Sequence, residues 1–308
     1  MSAFSEFNGN EKQPRPAWVG LDGWLQQIKP DALRAKQEQA RLAFFREGIT
    51  FSLAGDASGV ERAIPFDILP RVLSQSEWQF LSRGLAQRVT ALNLFLNDVY
   101  NDQHILKEGK VPAHFILSNS QFRSQMQGVR VPLGVYSAIS GIDLVRTDEL
   151  NFYVLEDNLR VPSGVSYMLE NRRILSQIEP ELFERQGVEP IAQYPQMLNL
   201  TLRELAPDHT DDPVVVVLTP GPYNSAYFEH AFLAQSIGAE LVEGQDLLVE
   251  DGFVYMKTIR GPQRVDVIYR RIDDDFLDPA VFRSDSMLGA SGLVKAMSCG
   301  HVSVVNAV

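Results

Sequence analysis

A run of five apolar residues, Val214 to Leu218, constrains the fold more than any other part of this sequence. Four of the five are β-branched valines, and such a run is typical of a parallel strand buried on both faces. The residues after it predict a Gly/Pro loop at 219–225, a helix at 226–237, a strand at 239–242, a hairpin at 247–257, a strand at 265–271, a helix at 288–297 and a last strand at 302–305. This alternation predicts a three-layer, Rossmann-like α/β domain.

The residues before this run are less regular. Helices are predicted at 30–48 and from Ser74 or Ser76 to Val99, where an apolar stripe is expected to be core. A short hairpin is predicted around a turn at 55–59, and a polar, proline-containing loop at 206–213 is the expected domain boundary. The chain is therefore predicted to have a flexible lead-in at 1–30, a first domain at 31–212 and a second at 213–308.

Charge and cysteine content exclude several classes of protein. There are 28 Lys and Arg against 39 Asp and Glu, which gives a net charge of −11. This charge disfavours nucleic acid and anionic membrane surfaces as partners. The single cysteine, Cys299, excludes an internal disulfide framework and favours a reducing compartment. With no signal peptide or membrane-spanning stretch predicted, we expect a cytoplasmic protein.

Two strands predicted within 135–158 bring chemically useful side chains together. Side chains alternate along a strand, so Glu156 and Asn158 are expected on one face. A turn centred between Glu149 and Leu150 would place Asp143 opposite Glu156 on that face. Carboxylate and amide oxygens of this kind suit Mg²⁺. The alternative is an acidic hairpin whose polar face is only solvated.

Several segments of the sequence resemble one known family. They are GIDLVR at 141–146, LEDNLRVPSGVSY at 155–167, GLAQRV at 84–89, YNSAYFEH at 223–230 and VIYRRIDDD at 267–275. Together they resemble the circularly permuted ATP-grasp family, type 2, which is related to glutathionylspermidine synthase. The resemblance implies an α/β fold in which an ATP-grasp metal-binding portion at 31–212 precedes a pre-ATP-grasp-like domain at 213–308.

The resemblance also implies an activity and a set of site residues. The expected activity is an ATP-dependent carboxylate–amine ligase acting through an acyl phosphate, with ATP and Mg²⁺ as cofactors and a small-molecule or peptide carboxylate and an amine as substrates. Asp143, Glu156 and Asn158 match the family's metal ligands. Arg146 and Arg160 are placed to neutralise the transferring phosphoryl group. Salt bridges at the surface are the alternative role for both arginines.

Further candidate residues lie in loops and at strand ends. Ser163 and Gly164 precede a predicted helix and are expected to bind an anion of the nucleotide, although an ordinary helix cap fits the same pattern. The remaining candidates are Asn306 for the cofactor, Arg271 for a substrate carboxylate or phosphate, and Tyr223, Asn224, Ser225 and Glu229 for substrate. A salt bridge to the following aspartates is the alternative role for Arg271.

The sequence departs from the family pattern in two places. Glutathionylspermidine synthase has an arginine two residues before the aspartate, where this chain has Gly141. The ending at 305–308 resembles a strand that leads into the ATP-lid lobe, so a truncated fragment is expected. Only seven lysines occur, none in a recognisable phosphate-binding motif. The alternatives are a non-catalytic scaffold or binding protein, and another nucleotide-dependent enzyme such as a kinase.

Overall fold

The computed structural model describes residues 4–9, 13–51, 62–208 and 210–308. The predicted turn at 55–59 lies outside them. The chain divides into two compact units, each built from separate stretches of sequence. The first unit consists of Met1–Leu85, Ile142–Asp157 and Ser163–Gln193, and the second of Ala86–Gly141, Asn158–Pro162 and Tyr194–Val308.

The α-helices of the described residues are, in chain order, α1 (Val19–Gln27), α2 (Pro30–Arg46), α3 (Gln75–Tyr100), α4 (His104–Lys107), α5 (Ala113–Leu117), α6 (Val165–Ile178), α7 (Pro180–Gln186), α8 (Tyr194–Glu204), α9 (Tyr227–Ile237) and α10 (Leu293–Ser298). The strands are β1 (Thr50–Phe51), β2 (Arg62–Ala63), β3 (Gly141–Arg146), β4 (Phe152–Asn158), β5 (Val215–Leu218), β6 (Glu240–Val242), β7 (Leu247–Glu250), β8 (Phe253–Thr258), β9 (Gly261–Val265), β10 (Val267–Arg270) and β11 (Ser303–Val305). No helix of the described stretches is both long and apolar enough to cross a membrane.

The first unit is mainly helical. Helix α2 packs against α6, and α7 packs against both α1 and α6. Its apolar cluster contains Trp18, Leu21, Trp24 and Leu182. Over Val19–Gln27 the structure therefore differs from the flexible lead-in expected at 1–30, because Trp18, Leu21 and Trp24 bury a large apolar area and stabilise α1.

Helix α3 confirms the predicted long helix and decides between its two candidate caps. The Ser74 hydroxyl accepts the N–H of Glu77 at 3.2 Å, and the Glu77 carboxylate accepts the N–H of Ser74 at 2.8 Å. This reciprocal capping box satisfies two N–H groups at the helix start. The apolar stripe is only partly core: Leu81 and Val99 are buried, whereas Trp78 is 57% exposed.

The second unit contains the parallel sheet that the valine run predicts. Its strand order is β11-β10-β5-β6, and each neighbouring pair is parallel. Val216, Val217 and Leu218 of β5 are fully buried, as expected for a strand covered on both faces. The predicted hairpin at 247–257 is confirmed as β7 and β8, and β9 extends it into a three-stranded antiparallel sheet.

The division into units differs from the boundary expected in the 206–213 loop. Tyr100, Met126, Val129 and Tyr136 belong to the same buried cluster as the side chains of β5 and β10. The stretch 86–141 is thus part of the second unit rather than of a first domain. These residues are far from the sheet in sequence, so no local pattern reports their packing.

Candidate functional site

The predicted metal-binding hairpin forms as strands β3 and β4, which make a two-stranded sheet. Exposure alternates along β3, and Asp143 is one of its exposed residues. On β4, Glu156 and Asn158 are exposed and Asp157 between them is less so. Asp143 and Glu156 belong to the first unit, and Asn158 begins the short stretch 158–162 of the second.

The open end of the hairpin indicates how the two strands pair. A Cβ placed on Gly141 would lie 3.5 Å from the Cβ of Asn158, so these residues are cross-strand neighbours. Continued by two residues along each strand, this pairing would bring Asp143 opposite Glu156, and that pairing stays a prediction.

Near the turn, the hairpin indicates a different pairing between the residues of β3 and β4. The N–H of Thr147 donates to the carbonyl of Asn151 at 3.2 Å, and counting from this pair brings Asp143 opposite Leu155 instead. Leu155 and Glu156 are both exposed, so the alternation along β4 shifts by one residue between them. A β-bulge, in which two residues of one strand face a single residue of its partner, would explain why Asp143 is opposite Glu156 by one pairing and opposite Leu155 by the other.

The donors on this hairpin suit a hard cation. Within the described stretches, no group of three or more His, Cys, Asp or Glu side chains is arranged to bind a metal. A site here therefore depends on two carboxylates and an amide, with water or phosphate supplying the other ligands. This is the kind of donor set that Mg²⁺ accepts, since it keeps several waters and uses one or two carboxylates.

Arg146 follows Asp143 on β3, and its side chain is completely buried. It donates to the Glu77 carboxylate at 2.6 Å and to the carbonyls of Asp148 at 2.9 Å and Glu149 at 2.7 Å. Its guanidinium also lies 4.6 Å from the centre of the Phe152 ring. These contacts favour a structural role in holding the hairpin turn over the predicted catalytic one.

Arg160 has a different environment, although it lies only two residues after β4. Its side chain is 43% exposed, and its guanidinium donates to the Gln121 amide oxygen at 2.8 Å. Its Nε lies 3.7 Å from the Asp274 carboxylate. Gln121 and Asp274 therefore fix the position of the Arg160 guanidinium, which remains accessible to solvent. A residue that neutralises phosphate charge needs both properties.

The stretch after Arg160 leads into α6. Gly164 is the N-cap of α6 and has a φ of 109°, a conformation that side-chain-bearing residues rarely adopt. Ser163 is exposed, and no side chain caps this helix start. The N–H groups at a helix start attract anions, and the phosphate role of these two residues stays a prediction.

The loop predicted at 219–225 joins β5 to α9 at the carboxyl end of a parallel strand, where open α/β sheets bind ligands. Tyr223 is fully exposed and Ser225 is exposed. The Asn224 side chain accepts the N–H of Ala226 at 2.9 Å, which fixes the start of α9. These side chains remain candidates for a substrate contact.

Glu229 and Arg271, two of the other predicted site residues, are buried against each other. Their exposed fractions are 0% and 3%, and their charged groups lie 3.0 Å apart. Arg271 also donates to the Tyr269 hydroxyl at 3.1 Å. This placement differs from the expected substrate contacts, because both charges are paired inside the protein; the salt bridge of Arg271 is to Glu229 rather than to the following aspartates.

Two neighbours of this pair have shifted pKa values that sequence inspection does not reveal. Burial, and then the charge of Arg271, lower the pKa of His230 to about 3, so its imidazole is neutral at neutral pH. Its Nδ1 lies 2.9 Å from the Thr219 hydroxyl, which accepts the N–H of Gly221. Burial raises the pKa of Tyr194 to about 12.

Asn306, the last predicted cofactor contact, is 1% exposed. Its amide oxygen accepts the N–H groups of Ala138 at 2.9 Å and Ile139 at 3.0 Å. Its amide nitrogen donates to the carbonyls of Ile139 and Leu159, both at 2.7 Å. The side-chain amide is thus saturated by backbone, which does not favour direct contact with a nucleotide.

Comparison with known families decides the identity of this fold. A family model described as circularly permuted ATP-grasp type 2 matches residues 70–308. The chain belongs to this family. The predicted family and α/β fold class are therefore confirmed, and the hairpin with Asp143 and Glu156 lies within the part of the ATP-grasp chain that matches.

Similar proteins support this placement in the ATP-grasp family. An uncharacterized Synechocystis protein is 51% identical over 96% of this chain and 61% of its own length. An uncharacterized Mycobacterium tuberculosis protein is 47% identical over 99% of this chain and 55% of its own length. A Frankia alni protein named "Putative glutamate--cysteine ligase 2-3" is 40% identical over 95% of this chain and 34% of its own. The chain thus spans less than two thirds of the length of each.

Solved structures that share the fold include a glutathione synthetase-like effector from Globodera pallida in its apo form, which matches with a TM-score of 0.53. The match covers 88% of this chain and 64% of that chain. Sequence identity is 14%, so the likeness concerns the fold alone.

Proposed function

We propose that this ATP-grasp chain is the metal-binding part of an ATP-dependent ligase that joins a carboxylate to an amine. The observation that carries the proposal is the exposed pair of carboxylates, Asp143 and Glu156, on the β3–β4 hairpin. The family match and the name of the Frankia relative support the ligase class. Because the chain spans only part of the length of its relatives, we assign the activity to a protein of their full length.

The proposed reaction has two steps. A carboxylate oxygen of the first substrate attacks the terminal phosphorus of ATP, and ADP leaves, which gives an acyl phosphate. The nitrogen of the amine then attacks the acyl carbon, phosphate leaves, and the nitrogen loses a proton. Negative charge concentrates on the phosphoryl oxygens in the first step, so the protein's main task is to position and neutralise this charge.

Different residues would position and neutralise this charge, according to where they lie. Asp143, Glu156 and Asn158 would hold Mg²⁺, which neutralises phosphate charge when bound. Arg160 supplies a fixed positive charge, and Ser163 and Gly164 offer the start of α6 to a phosphate or carboxylate. Tyr223, Asn224 and Ser225 of the 219–225 loop would contact the amine or the carboxylate substrate. Arg146 and the buried pair Glu229 and Arg271 stabilise the fold in this proposal.

A cation-binding experiment tests the proposal on the chain itself. Mn²⁺ serves as a spectroscopic probe for the Mg²⁺ site, and calorimetry measures Mg·ATP. The double variant Asp143→Asn, Glu156→Gln should weaken Mn²⁺ and Mg·ATP binding at least about tenfold, because two anionic ligands become neutral amides. Equal binding by this variant and the unchanged chain would refute the hairpin as the metal site.

The matched control also removes two negative charges, but at positions outside the hairpin. Glu184 is exposed on α7, and Asp251 has a positive φ of 52° that asparagine tolerates well. The double variant Glu184→Gln, Asp251→Asn should bind Mn²⁺ like the unchanged chain. In the full-length protein, the Asp143→Asn, Glu156→Gln variant should also lose formation of ADP with amino acids and polyamines as trial substrates.

A further inference from the structure

Asn306 connects two segments of the second unit that adjoin the hairpin in sequence. Ala138 and Ile139 lie shortly before β3, and Leu159 follows β4 directly. One buried amide group makes five hydrogen bonds to these segments, four of them between 2.7 and 3.0 Å and a fifth, to the carbonyl of Arg160, at 3.4 Å. Since every one of these bonds is to backbone, Asn306 fixes where the chain runs before Asp143 and after Asn158.

Arg270 fixes the backbone that carries Asn306. Its side chain is completely buried, and its Nε and Nη2 donate to the carbonyls of Asn306 and Ala307, both at 2.8 Å. Its Nη1 donates to the carbonyl of Ile272 at 3.1 Å. A buried guanidinium requires a counter-charge, and Asp274 provides one at 2.5 Å.

Asp274 also faces the exposed arginine of the site. Its second carboxylate oxygen lies 3.7 Å from Nε of Arg160 and 3.6 Å from Nε of Arg123. Arg123 pairs in addition with Asp275 at 2.8 Å. Asp274 therefore connects the sealed guanidinium of Arg270 to the accessible guanidinium of Arg160, whose other partner is Gln121.

We propose that Asn306, Arg270 and Asp274 form a positioning network that fixes the chain on both sides of the hairpin and holds Arg160 in place for a nucleotide phosphate. This inference rests on the proposed function, and it replaces the prediction that Asn306 itself contacts the cofactor. The three residues act through Arg160 and through backbone, without touching the substrate. Asp274 faces the Arg160 guanidinium directly, so the effect of Asp274 on nucleotide binding should disappear once Arg160 is removed.

Hydrogen exchange tests the positioning part without any ligand. In the variant Asn306→Ala, the amides of Ala138 and Ile139 should exchange about tenfold faster, because each loses its acceptor. Amides of the β7–β8–β9 sheet should be unchanged, which controls for global loss of stability. Unchanged exchange at residues 138 and 139 would overturn the network.

A double-mutant cycle tests the connection to nucleotide binding. Asp274→Asn and Arg160→Gln should each weaken Mg·ATP binding measured by calorimetry, and the double variant should bind no worse than Arg160→Gln alone. Additive losses would show that Asp274 acts independently of Arg160 and would overturn the proposal. If Asp274→Asn does not fold, Asp274→Glu serves in its place, because it keeps the counter-charge of Arg270 and displaces the oxygen that faces Arg160.

The two proposals fail in distinguishable ways. If the unchanged chain and the full-length protein do not bind Mg·ATP, the ligase proposal and the role of Arg160 both fall. Faster hydrogen exchange at residues 138 and 139 in Asn306→Ala would then show only that Asn306 stabilises the local backbone. If Mg·ATP binds and Asp143→Asn, Glu156→Gln weakens it while the Asp274 and Arg160 losses are additive, the ligase proposal stands and the network does not.

Discussion

At the scale of single residues, Glu229 and Arg271 carry opposite charges in a place from which water is excluded. A buried ion pair contributes little net stability, since each charge has lost its hydration. Removing one partner is different, because the other charge then remains buried and unpaired.

We therefore expect Glu229→Gln to lower the free energy of unfolding by about 3–5 kcal/mol. Urea denaturation monitored by far-UV circular dichroism measures this loss. The exposed Glu240→Gln on β6 should change stability by less than about 0.5 kcal/mol. A double variant Glu229→Gln, Arg271→Met should recover part of the loss, and failure to recover would argue against pairing as its cause.

At the scale of elements, Gly289 and Gly84 differ in how closely other backbone atoms approach them. Gly289 lies where a Cβ would come within 1.9 Å of the Leu277 carbonyl oxygen, and Leu277 also accepts the N–H of Ala290 at 3.1 Å. Gly84 lies in the interior of α3, exposed, with nothing within 4 Å of a Cβ.

The same substitution should therefore have opposite effects at the two glycines. Gly289→Ala should destabilise the protein by at least about 1–3 kcal/mol, because two backbone segments must separate. Gly84→Ala should stabilise it by about 0.5–1 kcal/mol, because alanine loses less conformational entropy in a helix. Thermal unfolding of both variants checks the signs. A tolerated alanine at position 289 would contradict the close approach.

At the scale of the whole molecule, two groups with lowered pKa values, Glu77 and His230, couple folding to pH. Burial alone would raise the pKa of Glu77, but hydrogen bonds from Ser74, Arg146 and Arg15 outweigh this and lower it to about 2. The pKa of His230 is lowered to about 3. In both cases the unfolded chain binds a proton at a higher pH than the folded chain.

Stability should therefore fall as the pH falls, first through His230 below about pH 6.5 and then through Glu77 below about pH 4.5. His230 alone contributes a slope of up to about 1.4 kcal/mol per pH unit between its two pKa values. The variant His230→Asn should show a smaller slope between pH 6.5 and 4.5 in urea titrations. An unchanged slope would mean that His230 does not cause it.

The sequence predicts best those features that depend on neighbouring residues. The run at 214–218 is confirmed as a buried parallel strand, and Ser74 with Glu77 forms a helix cap that its spacing allows. Asp143 and Glu156 are exposed on paired strands, and their metal-binding role remains a prediction.

Features that depend on distant partners could not be predicted. Asn306 and Arg146 have sequence patterns compatible with a ligand site, yet each is engaged by backbone or by a carboxylate far along the chain. The shift in alternation between Leu155 and Glu156 escapes prediction for a related reason, since the pattern of one strand does not reveal how its partner pairs with it.

The bonds of Asn306 also bear on the order in which the protein forms during synthesis. Its partners Ala138, Ile139 and Leu159 precede it by 168, 167 and 147 residues. A ribosome adds residues from the N-terminus, so these backbone groups emerge long before the amide that pairs with them. Contacts of such long range form late and slowly. The chain on both sides of the hairpin therefore reaches its final arrangement only after β11 has been made.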